Sequence, residues 1–154
     1  MSTEESRHIP LSNPTLGEPE AEYVLDCLRT GWISSAGQYV ERFEQAFASA
    51  IGVGHAMSCS NGTAALHLAL LAVGLNPGDE VITPTMTFVA CANAITYCGG
   101  VPVFADIDPH TWCIDATRVE ELVTPRTRGI IAVHLRGCPA DMDAVMDVAR
   151  RHGL

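Results

Sequence analysis

The sequence predicts an α/β fold in which a parallel-type sheet carries helices on both faces. From residue 53 onward, predicted short strands alternate with helical segments, and Gly, Pro and Asn separate them. The intervening helices are long enough for the crossovers that join parallel strands. The run at residues 130–135 is nearly continuously apolar, which is typical of a strand buried on both sides. With 47% hydrophobic and 18% charged residues, a chain of 154 residues can build one such core.

Two helices are predicted ahead of this region. Pro19 suits the first turn of a helix, and Gly31 can close it in the left-handed conformation. The second helix should end at Gly52. Its apolar face comprises Val40, Phe43, Phe47 and Ile51. We therefore predict a flexible tail at residues 1–8, a helical arm at residues 9–52 and an α/β region at residues 53–154.

The α/β region predicts four strands and four helices in alternation. The predicted strands are residues 55–59, 80–84, 102–107 and 130–135. The predicted helices are residues 63–73 and 88–98, a short one capped by Asp115, and a last one that starts at Asp141 or Asp143 and ends at Gly153. In a βα pattern this last helix should lead to a further strand, which the sequence does not contain.

Charge and composition exclude several classes of function. The formal net charge of −9 repels phosphate backbones and anionic lipid surfaces, so we expect neither nucleic-acid nor membrane binding. Residues 1–7 are polar and acidic, unlike a secretory signal, and we expect a cytoplasmic protein. The six cysteines lack CxxC spacing, so we predict reduced thiols and no metal site. All nine basic residues are arginine, and the sequence contains no lysine.

Residues 60–65, SNGTAA, lie between a predicted strand and a predicted helix. Gly62 allows a ligand to approach the backbone closely, and free N–H groups at a helix start favour an anion such as phosphate. The hydroxyl of Thr63 could add a donor. The alternative is an ordinary helix cap formed by Ser60 or Asn61. Neither common nucleotide-binding glycine motif is present.

Other candidate residues follow predicted strands, at the edge where open α/β sheets bind ligands. Phe88 could stack on a planar ring or could anchor its helix in the core. His134 could serve a site or could be a satisfied core histidine. Asp106 and Asp108 could form an acid–base pair, although Asp-Pro after a strand favours a turn. Trp32, in the early connector, could face a substrate or could anchor a loop.

Taken in order, these segments resemble the DegT/StrS family of nucleotide-sugar aminotransferases, which are fold-type I pyridoxal-phosphate enzymes. The resemblance extends from residue 9 to residue 154. It is carried by IPLS at 9–12, GWISS at 31–35, SNGTAAL at 60–66, GDEVITP at 78–84, PVFADID at 102–108, and VHL, G and PADMD within 133–143. One departure is Arg136, where the family usually has an aromatic or small residue.

The resemblance implies an incomplete fold-type I large domain with pyridoxal 5′-phosphate as its cofactor. Gly62 and Thr63 would hold the cofactor phosphate, and Phe88 would lie against the pyridine ring. The intact family transfers an amino group from an amino acid, often glutamate, to a nucleotide-linked keto-sugar, and works as a homodimer. The family's aspartate for the pyridine nitrogen and its lysine for covalent attachment of the cofactor have no counterparts in this sequence.

Two functional hypotheses follow from these observations. The first is a partial sugar aminotransferase that is inactive alone, so that no residue here is assigned a catalytic role. The alternative is a non-catalytic module that pairs with a full-length relative or with a separately encoded second half. A nicotinamide-binding domain is disfavoured because its glycine fingerprint and acidic ribose partner are missing.

Overall fold

The computed structural model describes Pro10 and residues 12–154, which form two compact units. The first unit ends at Ser58 and contains α1 (Glu18–Thr30) and α2 (Gln38–Ile51). As predicted, Pro19 lies in the first turn of α1, and the left-handed Gly31 closes that helix. Gly52 closes α2 in the same conformation. No helix among the described residues is long and apolar enough to cross a membrane.

The second unit, from Cys59 to Leu154, is an α/β layer structure. Its elements are α3 (Gly62–Ala72), β1 (Glu80–Pro84), α4 (Ala90–Tyr97), β2 (Val101–Ala105), α5 (Ala116–Glu121), β3 (Thr127–Ile130) and α6 (Met142–His152). The strands pair in the order β2-β1-β3, and both pairings are parallel. All five residues of the central strand β1 are buried. The predicted parallel sheet is therefore confirmed.

Successive residues of β1 show that helices cover both faces of this sheet. Side chains alternate between the faces along a strand, so Val81 and Ile82 point in opposite directions. Val81 packs in a cluster with Leu70, on α3, and Ile95, on α4. Ile82 packs in a second cluster with Val119, on α5, and with α6. Both side chains are almost completely buried, as expected for a central strand covered on both faces.

The predicted strand at residues 55–59 is wrong. No strand pairs with this segment in the part of the chain that the structure describes. The Ser58 N–H and hydroxyl instead donate to the Glu44 carboxylate, at 2.7 and 2.9 Å. These two bonds lower the pKa of Glu44 below its ordinary value. Met57 is 81% exposed, because an extended segment without a neighbouring strand has no sheet face on which to bury a side chain.

The predicted strand at residues 130–135 is also wrong for most of its length. The ladder between β1 and β3 pairs Ile82 with Ile130 and continues through the Ile131 N–H, which donates to the Ile82 carbonyl at 2.8 Å. Two residues further along β1 lies Pro84, which has no N–H to donate, so the ladder stops there. The strand predicted at residues 102–107 is shorter as well, since β2 ends at Ala105.

A buried carboxylate fixes the start of the central strand. Glu80 is 4% exposed and accepts hydrogen bonds from the Thr124 hydroxyl, at 2.5 Å, and from the Arg126 guanidinium. These donors hold the pKa of Glu80 below its ordinary value, Thr124 having the larger effect, while burial partly opposes the shift. The cluster thus ties β1 to the loop between α5 and β3.

We expect Glu80→Gln to lower the melting temperature at pH 7 by several degrees, because the amide cannot form the ion pair with Arg126. A depressed carboxyl pKa stabilises the fold above the unfolded-state value of about 4.3 and loses that effect as pH falls through the folded-state value. The difference in melting temperature between wild type and variant should therefore shrink below about pH 4.3. Calorimetry from pH 7 to pH 3 measures this difference in melting temperature.

The control is Glu121→Gln, which breaks an exposed ion pair with Arg118. It should have little effect on the melting temperature at pH 7 or at pH 3. If the melting temperatures of wild type and Glu80→Gln differed by the same amount from pH 7 to pH 3, the lowered pKa would not belong to Glu80.

Candidate functional site

The first turn of α3 is capped by Asn61. Its side-chain oxygen accepts the Ala64 N–H at 2.9 Å, and its carbonyl accepts the Ala65 N–H at 3.1 Å. The helix then starts with Gly62 and Thr63, whose backbone N–H groups belong to the turn that has no carbonyl partners within the helix. The cap is Asn61, one of the two predicted candidates. Two N–H groups and the positive end of the helix dipole remain directed at solvent.

Gly62 has no role in the fold that requires glycine. Its φ lies outside the left-handed region, and a Cβ placed on it would meet no atom within 4 Å. Glycines that close helices in this chain, such as Gly31 and Gly52, do adopt positive φ angles. The missing side chain at Gly62 therefore leaves open space directly beside the free N–H groups of α3.

Phe88 lies just before α4 and is 86% exposed. It follows the carboxyl end of β1 by only a few residues, so its ring stands at the ligand-binding edge of the sheet. Among the described residues Phe88 is therefore not part of the core. The predicted helix 88–98 begins at Ala90, which leaves Phe88 outside it. An aromatic ring exposed to this extent has a free face for a planar ligand.

The two helices that carry these residues, α3 and α4, pack against each other on one face of the sheet. Gly62 and Thr63 lie at the amino end of α3, and Phe88 immediately precedes the amino end of α4. The structure records no direct bond between Phe88 and the first turn of α3. Both positions are open to solvent, with room for a ligand to contact each.

Two other candidates make hydrogen bonds that shape their loops, and His134 is exposed and not a core histidine. Asp108 accepts the backbone N–H groups of His110 and Thr111, at 2.9 and 2.8 Å, which is the turn interpretation. Donation from Thr111 and then His110 lowers the pKa of Asp108, so this carboxylate is ionised and unsuited to act as a general acid. His134 Nδ1 accepts the Ala140 N–H at 3.0 Å and so holds the loop after β3. Trp32 is 56% exposed in the connector between α1 and α2.

Sequence reasoning missed a contact between the loops that follow β2 and β3. The guanidinium carbon of Arg136 lies 5.8 Å from the centre of the Trp112 ring. Beside this contact, the Cys113 thiol donates to the Cys138 carbonyl at 3.4 Å. Trp112 and Arg136 both have positive φ angles, 60° and 50°. No local pattern predicts a left-handed tryptophan, so the sequence carries no signal for this pairing.

Known proteins resemble this chain in both sequence and fold. Residues 14–154 match the model of the DegT/DnrJ/EryC1/StrS aminotransferase family. The chain belongs to this family. Its fold is accordingly part of a fold-type I aminotransferase, as the resemblance in the sequence implied.

Three known proteins illustrate the similarity. The chain is 53% identical over 146 residues to the GDP-perosamine synthase of Caulobacter vibrioides, covering 95% of this chain and 39% of that protein. It is 46% identical to the GDP-perosamine synthase of Escherichia coli O157:H7, covering 96% and 41%. The crystal structure of NtdA from Bacillus subtilis, with bound cofactor PMP, superimposes with a TM-score of 0.83 at 40% identity, covering 90% and 33%. The chain thus spans about 40% of the length of the two GDP-perosamine synthases.

The residues present fit part of the family's cofactor. The capped start of α3, with free N–H groups at Gly62 and Thr63 and no Cβ at Gly62, suits a phosphate dianion. The exposed ring of Phe88 suits the face of a pyridine ring. No side chain among the 154 residues can attach the cofactor covalently through an ammonium group, because the sequence contains no lysine.

Proposed function

We propose that this chain forms the N-terminal part of a pyridoxal-phosphate-dependent sugar aminotransferase. The enzyme would act in the cytoplasm, as a homodimer, and move an amino group from an amino acid such as glutamate to a GDP-linked keto-sugar. Residues 9–52 would be its helical arm and residues 53–154 the first half of its cofactor-binding domain. The observation that carries this proposal is the high identity to two proteins named GDP-perosamine synthase, which extends over nearly the whole chain.

In this proposal the chain's own residues bind and orient the cofactor. The N–H groups of Gly62 and Thr63 hold its phosphate, and the positive end of the α3 dipole stabilises the dianion. Phe88 covers one face of the ring, keeps water from that face and fixes the plane of the ring. When bound, pyridoxal phosphate supplies a carbonyl group that takes up an amino group and a conjugated ring that delocalises electrons.

The remaining functions would come from a further polypeptide segment. The lysine that attaches the cofactor and moves the proton must be supplied from outside these 154 residues, which contain none. Exposed apolar side chains support a further packing partner for the second unit. Leu68 and Leu71, on α3, are 47% and 50% exposed, and Phe104, on β2, is 51% exposed. A helix that is apolar on most sides is usually buried in the complete fold.

The proposal is tested by combining the chain with the segment of the Caulobacter vibrioides GDP-perosamine synthase that continues beyond the matched region. We expect amino transfer from glutamate to a GDP-linked keto-sugar, and the absorbance band of the lysine-bound cofactor, only when both polypeptides are present. The control is the Caulobacter enzyme itself, divided at the same position and recombined. Activity of the chain alone would contradict the proposal, as would an inactive combination alongside an active control.

A further inference from the structure

Arg136 occupies a turn position that does not favour arginine. Leu135 and Cys138 exchange two backbone hydrogen bonds, at 3.0 and 2.9 Å, so Arg136 and Gly137 are the two central residues of a tight turn. Both have positive φ, 50° and 83°, a combination that Asn-Gly adopts with little strain and that arginine adopts at a cost. Local turn geometry therefore does not explain an arginine at this position. The reason for it lies in the contacts of the arginine side chain.

The partner of Arg136 is strained in the same way. Trp112 has a φ of 60°, and these two are the only residues other than glycine with positive φ in the part of the chain that the structure describes. The Trp112 indole N–H donates to the Pro109 carbonyl at 3.1 Å, which fixes the ring. Arg136 lies over that fixed ring. Strain at two contacting residues is typical of groups held in place for binding.

The charge of Arg136 is available to a ligand. Arg126, Arg128 and Arg151 each form an ion pair with a carboxylate, whereas the described residues place no carboxylate within ion-pair distance of Arg136. The Arg136 side chain belongs to an exposed residue, and a guanidinium offers several parallel donors suited to phosphate oxygens.

The pair lies in loops that leave the same edge of the sheet as the proposed cofactor site. β1, β2 and β3 are parallel, so the segments that follow them leave the same edge of the sheet. Phe88 follows β1, Trp112 follows β2 and Arg136 follows β3. The loops that carry these three residues thus share one edge, and a substrate bound at the cofactor can extend along it.

We propose that Arg136, positioned by the Trp112 ring, binds the diphosphate group of the nucleotide-linked sugar. The inference rests on the proposed function for the identity of the ligand. Trp112 is a positioning residue, since the guanidinium covers one face of its ring. Arg136 contributes substrate affinity and takes no part in proton transfer.

Binding is tested on the 154-residue chain with pyrophosphate as the probe. The indole N–H resonance of Trp112 reports on the pair, and Trp32→Phe distinguishes it from the other indole. We expect pyrophosphate and GDP to shift this resonance and guanosine to leave it in place. Arg136→Asn should weaken pyrophosphate binding about tenfold, and Arg136→Lys less, because lysine keeps the charge without the fork of donors. Arg150→Asn, on the exposed surface of α6, is the matched control and should leave affinity unchanged.

Asparagine suits the turn, so Arg136→Asn should melt no lower than wild type, which separates lost affinity from lost structure. An unshifted Trp112 resonance, or equal affinity in wild type and both Arg136 variants, would overturn the inference.

A second measurement separates this inference from the proposed function. In the enzyme completed as described above, Arg136→Asn should raise KM for the GDP-linked sugar about tenfold with little change in kcat, as expected for uniform binding. An active completed enzyme whose KM is unaffected would refute the role of Arg136 and leave the proposed function standing. Pyrophosphate binding that depends on Arg136, in a completed enzyme without transferase activity, would refute the proposed function and leave the anion site standing.

Discussion

Replacing Ile82 with alanine is expected to lower the free energy of unfolding by about 2–5 kcal/mol. Ile82 is fully buried in the middle of the central strand and packs against residues of α5 and α6. Truncation removes buried apolar surface and leaves a cavity that the neighbouring strands, fixed by the ladder, cannot fill. Because single domains unfold at about 5–15 kcal/mol, this is a large fraction of the total stability.

Urea unfolding followed by circular dichroism measures this effect. The matched control is Val101→Ala, which truncates another β-branched residue of the same sheet at a position that is 47% exposed. Its effect should stay within about 0.5–1 kcal/mol, because little buried surface is lost. If Ile82→Ala and Val101→Ala lost the same free energy of unfolding, β1 would not be the central strand of the sheet.

Sequence patterning identified the elements whose signals are local. Asp115 caps α5 as predicted, and Asp141, one of two predicted candidates, caps α6; each accepts an N–H group from the first turn of its helix. The strand at Glu80–Pro84 was predicted with the bounds that the structure shows, because a clear turn at residues 76–79 precedes it. These features depend only on residues that are close in sequence.

The two failed strands depended on partners that local sequence does not reveal. Residues 55–59 contain no β-branched residue, pairing requires a neighbour, and Glu44 satisfies the Ser58 N–H instead. Residues 130–135 have a better strand pattern than Thr127–Ile130, yet the ladder ends where Pro84 faces it. In this second case tertiary context overrode local propensity.

The candidate site likewise contains features that local sequence predicts and features that it does not. The helix start at Gly62 and Thr63, which we propose as the phosphate site, could be predicted because helix starts depend on local sequence, and Asn61 caps this start. The exposure of Phe88 could not be predicted, since an aromatic residue before a helix is equally compatible with a core position. The contact between Trp112 and Arg136 joins two loops far apart in sequence and rests on unusual backbone angles, which no pattern of residue types specifies.

Gly62→Ala should separate stability from cofactor binding. The added methyl group meets no atom within 4 Å, and the backbone angle suits any residue, so the native state accepts it without strain. Alanine also restricts the unfolded chain, and the free energy of unfolding should rise by about 0.4–1 kcal/mol. If Gly62 has a role only in the fold, this rise in the free energy of unfolding is the only effect that the substitution should have.

If Gly62 serves the cofactor, the same methyl group occupies the space through which a phosphate reaches the first N–H groups of α3. Affinity of the completed enzyme for pyridoxamine 5′-phosphate should then fall about tenfold, or about 1.4 kcal/mol, while affinity for pyridoxamine, which has no phosphate, should not change. Calorimetric titration of both ligands measures these affinities.

Gly54→Ala is the matched control, since Gly54 also has open space around it and no positive φ. It should leave both affinities unchanged. A stabilised Gly62→Ala enzyme that binds pyridoxamine 5′-phosphate as tightly as wild type would show that the phosphate lies elsewhere, because a ligand held by these N–H groups cannot share their space with a side chain.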